Sequence, residues 1–79
     1  MTLKQLNKKA RSLSTNTRVN YIIEHENGSL SVENTFILFA NLIRTGLAWQ
    51  LQGSIYGRPA KQLIDLGYIS TGGEILKIS

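Results

Sequence analysis

A chain of 79 residues without a single cysteine must hold its fold together by packing alone. A domain of this size buries only about 60% of the surface that its unfolded chain exposes, and many small domains need disulfides or metals to compensate. Neither a disulfide nor a thiolate zinc site can form here. We therefore expect one domain over residues 1–79, stabilised by well-packed apolar side chains or by self-association into a homo-oligomer.

Membrane insertion is not predicted from the apolar residues. The longest apolar run, Phe36 to Ala40, has five residues, whereas a helix needs about 20 to span a bilayer. The N-terminal residues Met1-Thr2-Leu3-Lys4 carry a charge with no apolar segment behind it, unlike a secretory signal. We expect a cytoplasmic protein without a membrane partner.

Positive charge is concentrated at the N-terminus, although the net charge of the chain is only +4. Residues 1–20 contain five Lys or Arg and no acid, while residues 21–40 contain three Glu and no Lys or Arg. This predicts a basic arm, residues 1–18, on a compact core, residues 19–79. Such an arm suits a polyanion such as nucleic acid, or serves only as a solvated leader. The candidate polyanion contacts are Lys4, Lys8, Lys9, Arg11, Arg18 and Lys61.

Two helices are predicted in the first third of the chain. Thr2 and Gln5 have the spacing of a capping box, and apolar residues then recur at helical spacing, which favours a helix over 3–13. From Thr17 the apolar pattern fits either a strand or a helix, and we favour the helix. Asn27-Gly28 supplies a left-handed stop for it.

The clearest helix in the pattern runs from Val32 to Arg44 and ends before Gly46. One stripe of this helix is apolar and is predicted to face the core; it contains Val32, Phe36, Phe39, Leu42 and Ile43. Ile37 lies on the opposite, polar side together with Asn41. Either a neighbouring element or a partner must cover Ile37. We predict that it is exposed on the monomer and contributes to self-association or partner docking, and we add Arg44 and Arg58 as candidate partner contacts.

The last third of the chain predicts a helix and a hairpin. Residues 47–52 read as a short helix or turn, Pro59 as the first residue of a helix that runs to Leu66, and Gly67 as its stop. Gly72-Gly73 between two short apolar runs predicts a β-hairpin. The expected fold is mainly α, with three to four helices and a short C-terminal β-hairpin, and its order resembles a winged helix.

The inventory of reactive side chains argues against catalysis. His25 is the only histidine, and its neighbours Glu24 and Glu26 point elsewhere on a helix. No set of three or four metal ligands is visible, so we expect no enzyme, metal or cofactor.

The stretch Gly53 to Arg58, which precedes a predicted helix, matches a phosphate-binding loop only weakly. It lacks the Gly-Lys-Ser/Thr ending, and Pro59 removes one backbone amide that would face the anion. Trp49 is more typical of a buried core anchor than of a base-stacking residue.

Four runs of the sequence carry a resemblance to a known family. A family of small bacteriophage-encoded proteins resembles this chain in the run Tyr21-Ile-Ile-Glu-His-Glu-Asn-Gly-Ser-Leu-Ser31 and above all in Thr45-Gly-Leu-Ala-Trp-Gln-Leu-Gln-Gly53, with Tyr56-Gly-Arg58 and Leu63-Ile-x-x-Gly-Tyr-Ile69. Ile55 adds a residue to the family pattern, and Pro59 replaces its usual helix starter. The resemblance covers about residues 19–69, implies a phage origin and a compact helical domain, and transfers no site residues.

These observations leave two non-enzymatic functions. The first is a phage-type protein that docks on a host or phage protein in the infected cell, as an inhibitor or adaptor; it uses the predicted exposure of Ile37. The alternative is a nucleic-acid-binding protein that uses the basic arm and a winged-helix-like C-terminal half. Helix 59–66 is a poor reading element for that alternative, because Lys61 is offset by Asp65.

Overall fold

The computed structural model describes residues 1–50 and 54–78. In these residues the chain forms α1 (Leu3–Arg11), α2 (Thr15–Glu26), α3 (Val32–Thr45), α4 (Leu47–Gln50) and α5 (Ser54–Asp65). A C-terminal segment, residues 68–78, follows α5 without a helix.

Local capping residues set the helix ends that the pattern predicts. Thr2 and Gln5 form the predicted capping box of α1, which ends two residues earlier than expected. The helical interpretation of the ambiguous segment is confirmed by α2, whose N-cap is Ser14. Ser31 caps α3, and Gly46 ends it with φ 81°, a left-handed conformation that glycine adopts without steric cost.

Helix α3 lies at the centre of the fold. Every side chain from Phe36 to Ile43 is buried, and the helices α1, α2 and α4 pack against it. The C-terminal segment covers a further side, where Gly73 lies against Ala40 and Arg44. Because other elements pack around the whole circumference of α3, its buried surface is wider than one apolar stripe. Residues on the predicted polar side are therefore also part of the core.

Two residues of α3 therefore differ from the prediction. Ile37 is fully buried, so its predicted exposure on the polar side is wrong. Val32, placed in the predicted core stripe, is 60% exposed. The physical reason is that burial along α3 is decided by the elements around it, which leave the first turn open and enclose the two turns from Phe36 to Ile43 on all sides.

Helix α5 begins earlier than predicted. It starts at Ser54, and Pro59 lies inside it instead of at its first position. Proline removes one helical hydrogen bond there, but Tyr56 and Ala60, one turn apart, are both buried in the core. Packing of this face outweighs the lost bond. Gly67, with φ 80°, follows the helix as the predicted stop.

The predicted C-terminal β-hairpin is wrong. In the described part of the chain the segment contains one isolated antiparallel bridge, between Ile69 and Ile75, and no strand. The backbone N–H groups of Tyr68 and Ile69 both donate to Leu63, which caps α5. Those groups are therefore unavailable for a ladder, and the pairing cannot extend. Without a hairpin the predicted likeness to a winged helix also fails.

Candidate nucleic-acid interface

Helix α1 presents one continuous polar face to solvent. Its core side consists of Leu6, Asn7 and Ala10, which are buried. Apart from Leu3 at its first position, which is 40% exposed, the exposed side chains of α1 and its C-cap are polar and none is acidic: Lys4, Gln5, Lys8, Lys9, Arg11 and Ser12. The helix is amphipathic, and its buried side packs mainly against α3. We call the four cations of this set, Lys4, Lys8, Lys9 and Arg11, the basic face.

Two buried asparagines fix α1 to the rest of the domain. Asn7 pairs with the backbone of Ile75 in the C-terminal segment. Asn41 on α3 donates to the carbonyl of Ala10 at 2.9 Å. All three hydrogen bonds are buried, and they connect α1 to the C-terminal segment on one side and to α3 on the other. Sequence reasoning missed Asn7; its position among Leu3, Leu6 and Ala10 on the apolar side was the available signal.

The basic face is not neutralised by neighbouring acids. Across residues 1–50 and 54–78, two ion pairs are formed: the Met1 amino group with Glu33 at 3.3 Å, and Lys61 with Asp65 at 3.0 Å. Neither involves a cation of the basic face. The positive potential of four neighbouring charges therefore remains directed at solvent.

Shallow clefts run along both sides of α1. A cleft of about 360 Å³ separates it from the C-terminal segment and is lined by Lys4, Asn7, Arg11 and Glu74 among others. The other cleft, of about 280 Å³, lies towards the start of α2 and is lined by Lys9, Leu13, Thr17 and Tyr21 among others. The outward side of α1 itself carries a shallow depression of about 430 Å³, lined by Met1, Gln5, Lys8, Lys9 and Ser12. Helix α1 therefore stands as a ridge, and Glu74 is the acid beside it.

The other predicted polyanion contacts do not join the basic face. Arg18 is half-buried on α2, and its guanidinium donates to Asn41 Oδ1 at 3.2 Å. Its contact places a positive charge near the C-terminal end of α1, where helix carbonyls favour it. Lys61 lies on α5 and is paired with Asp65.

The three predicted partner contacts are not brought together as one exposed surface. Ile37 is 0% exposed, so it belongs to the core and cannot contact a partner in this structure. Arg44 and Arg58 are exposed, on α3 and α5 respectively. The predicted burial of Trp49 is also wrong, since this residue is 52% exposed.

A second polar cluster joins α2 to α5. The Tyr56 hydroxyl donates to Glu26 Oε2 at 3.0 Å, and the His25 ring lies 5.9 Å from that of Tyr56 and 5.4 Å from that of Phe39. Burial first, and then the hydrogen bond and charge of Glu26, raise the pKa of Tyr56 to about 12. His25 is therefore half-buried against aromatic rings at this helix junction.

The structure gives no support to a metal or phosphate site at the sequence candidates. Among the described residues, no three His, Cys, Asp or Glu side chains are grouped to hold a metal ion. Gly53, the start of the phosphate-loop match, lies outside the described residues, and Ser54 to Arg58 form the first turns of α5. No helix within the described ranges is long and apolar enough to cross a membrane.

The fold and this surface define a small all-α domain with a central buried helix and a basic surface helix. The chain belongs to the family described as Domain of unknown function (DUF7417), whose model matches residues 16–79. Helix α1 precedes the matched residues, whereas Arg18 lies within them. No curated protein and no solved structure matches the chain.

Proposed function

We propose that this protein is a non-enzymatic phage-type binding protein that acts in the cytoplasm of the infected host and binds nucleic acid through the basic face of α1. The observation that carries the proposal is the set of four exposed cations on one helix, none of them paired with an acid in the described residues. Lysine and arginine that neutralise phosphates release counterions, and this release supplies much of the affinity for nucleic acids.

The anchoring of α1 strengthens this proposal relative to a loose basic arm. Leu6 and Ala10 are buried in the core, and Asn7 and Asn41 tie the helix on two sides. Because the backbone carrying the cations is already ordered, binding costs less conformational entropy than the ordering of a free tail.

Docking on a protein is the second candidate, and one observation favours it. Val19 and Ile23 lie one turn apart on α2 and are 48% and 51% exposed. An apolar pair of this kind suits an inhibitor, an adaptor or a homo-oligomer contact. The prediction of protein docking was based on an exposed Ile37, but Ile37 is buried. For this reason nucleic-acid binding is our first proposal.

The proposed function is tested by fluorescence anisotropy with a labelled duplex and a labelled single strand, titrated across a series of salt concentrations. The variant Lys8→Gln/Lys9→Gln removes two charges from the basic face. The matched control Arg58→Gln/Lys61→Gln removes two exposed charges from α5. Circular dichroism checks that both remain folded.

We expect the wild type and the control to bind, and the Lys8→Gln/Lys9→Gln variant to bind more weakly, with a salt slope reduced by about 2 for duplex DNA. Equal weakening in the Lys8→Gln/Lys9→Gln and Arg58→Gln/Lys61→Gln variants would show that binding is not specific to the basic face. No binding to either strand form at low salt would refute the proposal.

Sedimentation of the wild type and of Ile23→Glu tests the second candidate function. If α2 forms a homo-oligomer contact, the wild type should sediment as an oligomer and Ile23→Glu as a folded monomer.

A further inference from the structure

We infer that α1 binds duplex DNA by entering its major groove, as the element that contacts base edges; this inference rests on the proposed function. The shape of the helix is the first argument. At 3.6 residues per turn, the exposed side chains from Arg11 round to Lys9 span about 160° of its circumference. With its side chains an α-helix is about 10–12 Å in diameter, which matches the width of about 12 Å of the major groove of B-form DNA. The nine residues of α1 extend for about 13 Å along the groove.

The clefts beside α1 also favour binding in a groove. Clefts of about 360 and 280 Å³ lie on the two sides of α1. A helix that stands between two clefts can approach the groove floor while phosphates pass on either side. The cations of the basic face would then reach guanine N7 and O6 from the top of the ridge, the commonest specific contact in that groove.

The chemistry of the ridge favours a duplex over a single strand. Single-stranded nucleic acids are bound largely by stacking of unpaired bases on aromatic rings. Helix α1 contains no aromatic residue, and none lines the cleft beside the C-terminal segment or the depression on its outward side. Tyr21 lines the cleft beside α2 but is half-buried. The basic face therefore offers positive charge and hydrogen-bond donors without a stacking platform.

Glu74 makes the side of α1 next to the C-terminal segment less favourable for a phosphate. It lines the same cleft as Lys4 and Arg11 but forms no ion pair with them in the described structure. A phosphate strand on that side meets a like charge, which lowers affinity. Glu74→Gln should therefore tighten binding to the duplex, while leaving the helix and its anchoring bonds in place.

Methylation footprinting with dimethyl sulfate tests the groove directly, because this reagent methylates guanine N7 in the major groove and adenine N3 in the minor groove. The probe is a labelled mixed-sequence duplex, with the same strand unpaired as a competitor. We expect the whole chain to suppress guanine N7 methylation, to leave adenine N3 methylation unchanged, and to be displaced poorly by the single strand. Lys8→Gln/Lys9→Gln should lose the protection, Arg58→Gln/Lys61→Gln should keep it, and Glu74→Gln should reach it at lower protein concentration.

The failures are distinguishable. Protection of adenine N3 alone, no protection of either atom in a bound duplex, or preference for the single strand would overturn major-groove binding while the proposed function stands. No association with duplex or single strand at low salt would overturn both.

Discussion

The side-chain amide of Asn7 pairs with the backbone of Ile75 in both directions. Asn7 Nδ2 donates to the Ile75 carbonyl at 3.0 Å, and the Ile75 N–H donates to Asn7 Oδ1 at 2.7 Å. The residues are 68 positions apart and both are buried. Asn7 thus takes the position that a neighbouring strand would have, and one side chain connects the basic helix to the C-terminal segment.

Asn7→Ala should be among the most destabilising single changes in α1. It leaves the buried N–H and carbonyl of Ile75 without partners, and we expect a loss of about 2–4 kcal/mol in the free energy of unfolding. Urea denaturation measures this loss. Asn20→Ala is the matched control, because Asn20 is exposed on α2, and it should change stability by less than about 0.5 kcal/mol. Equal effects of the two would show that the Asn7 pairing is not needed.

The two isoleucines Ile37 and Ile23 should respond differently to truncation. Ile37 is 0% exposed in α3, whereas Ile23 is 51% exposed on α2. Removing a buried isoleucine side chain creates a cavity, so Ile37→Ala should cost about 2–5 kcal/mol. Ile23→Ala should cost less than about 0.5 kcal/mol. Thermal melting of both variants checks this, and a mild effect at Ile37 would contradict the central position of α3.

Gly73 and Gly28 both adopt a left-handed backbone conformation, but only Gly73 also lacks space for a side chain. Both have positive φ, 89° and 75°, but a Cβ on Gly73 would lie 2.7 Å from the Ala40 carbonyl oxygen, while nothing lies within 4 Å of one on Gly28. Gly28→Ala should cost about 1–2 kcal/mol from the left-handed backbone alone. Gly73→Ala should cost about 2–4 kcal/mol because overpacking adds to this. Chemical denaturation that ranks Gly28→Ala as the more damaging would contradict the contact of the C-terminal segment with α3.

Tyr56 should make the stability of the domain sensitive to alkaline pH. Its pKa is raised in the folded state from 10.0 to about 12, so the folded state keeps the phenol proton at pH values where the unfolded state has lost it. The stabilisation is complete below pH 10 and is lost as pH rises from 10 towards 12. Tyr56→Phe lacks this titration. The free-energy difference between wild type and Tyr56→Phe, measured by denaturation from pH 8 to pH 12, should therefore fall across that range; a constant difference would contradict the raised pKa.

Part of the candidate site could be predicted from the sequence. Lys4, Lys8, Lys9 and Arg11 were predicted polyanion contacts, and all four are exposed on α1. What could not be predicted is that α1 belongs to the core, because its anchors are contacts with α3 and with Ile75, which lie far along the chain. Arg18 and Lys61 were equally basic by sequence, but Asn41 and Asp65 hold them elsewhere.

The sequence by itself determined where α1 begins and where α3 begins and ends. Thr2, Ser31 and Gly46 act through hydrogen bonds and backbone angles within a few residues of each helix terminus, so their effect needs no knowledge of the fold. Only the tertiary structure decided that Ile37 is enclosed and that Trp49 remains half exposed. It also decided that Ile75 pairs with Asn7 in place of a strand. Burial and pairing depend on which elements meet, and the periodicity of one segment carries no information about its neighbours.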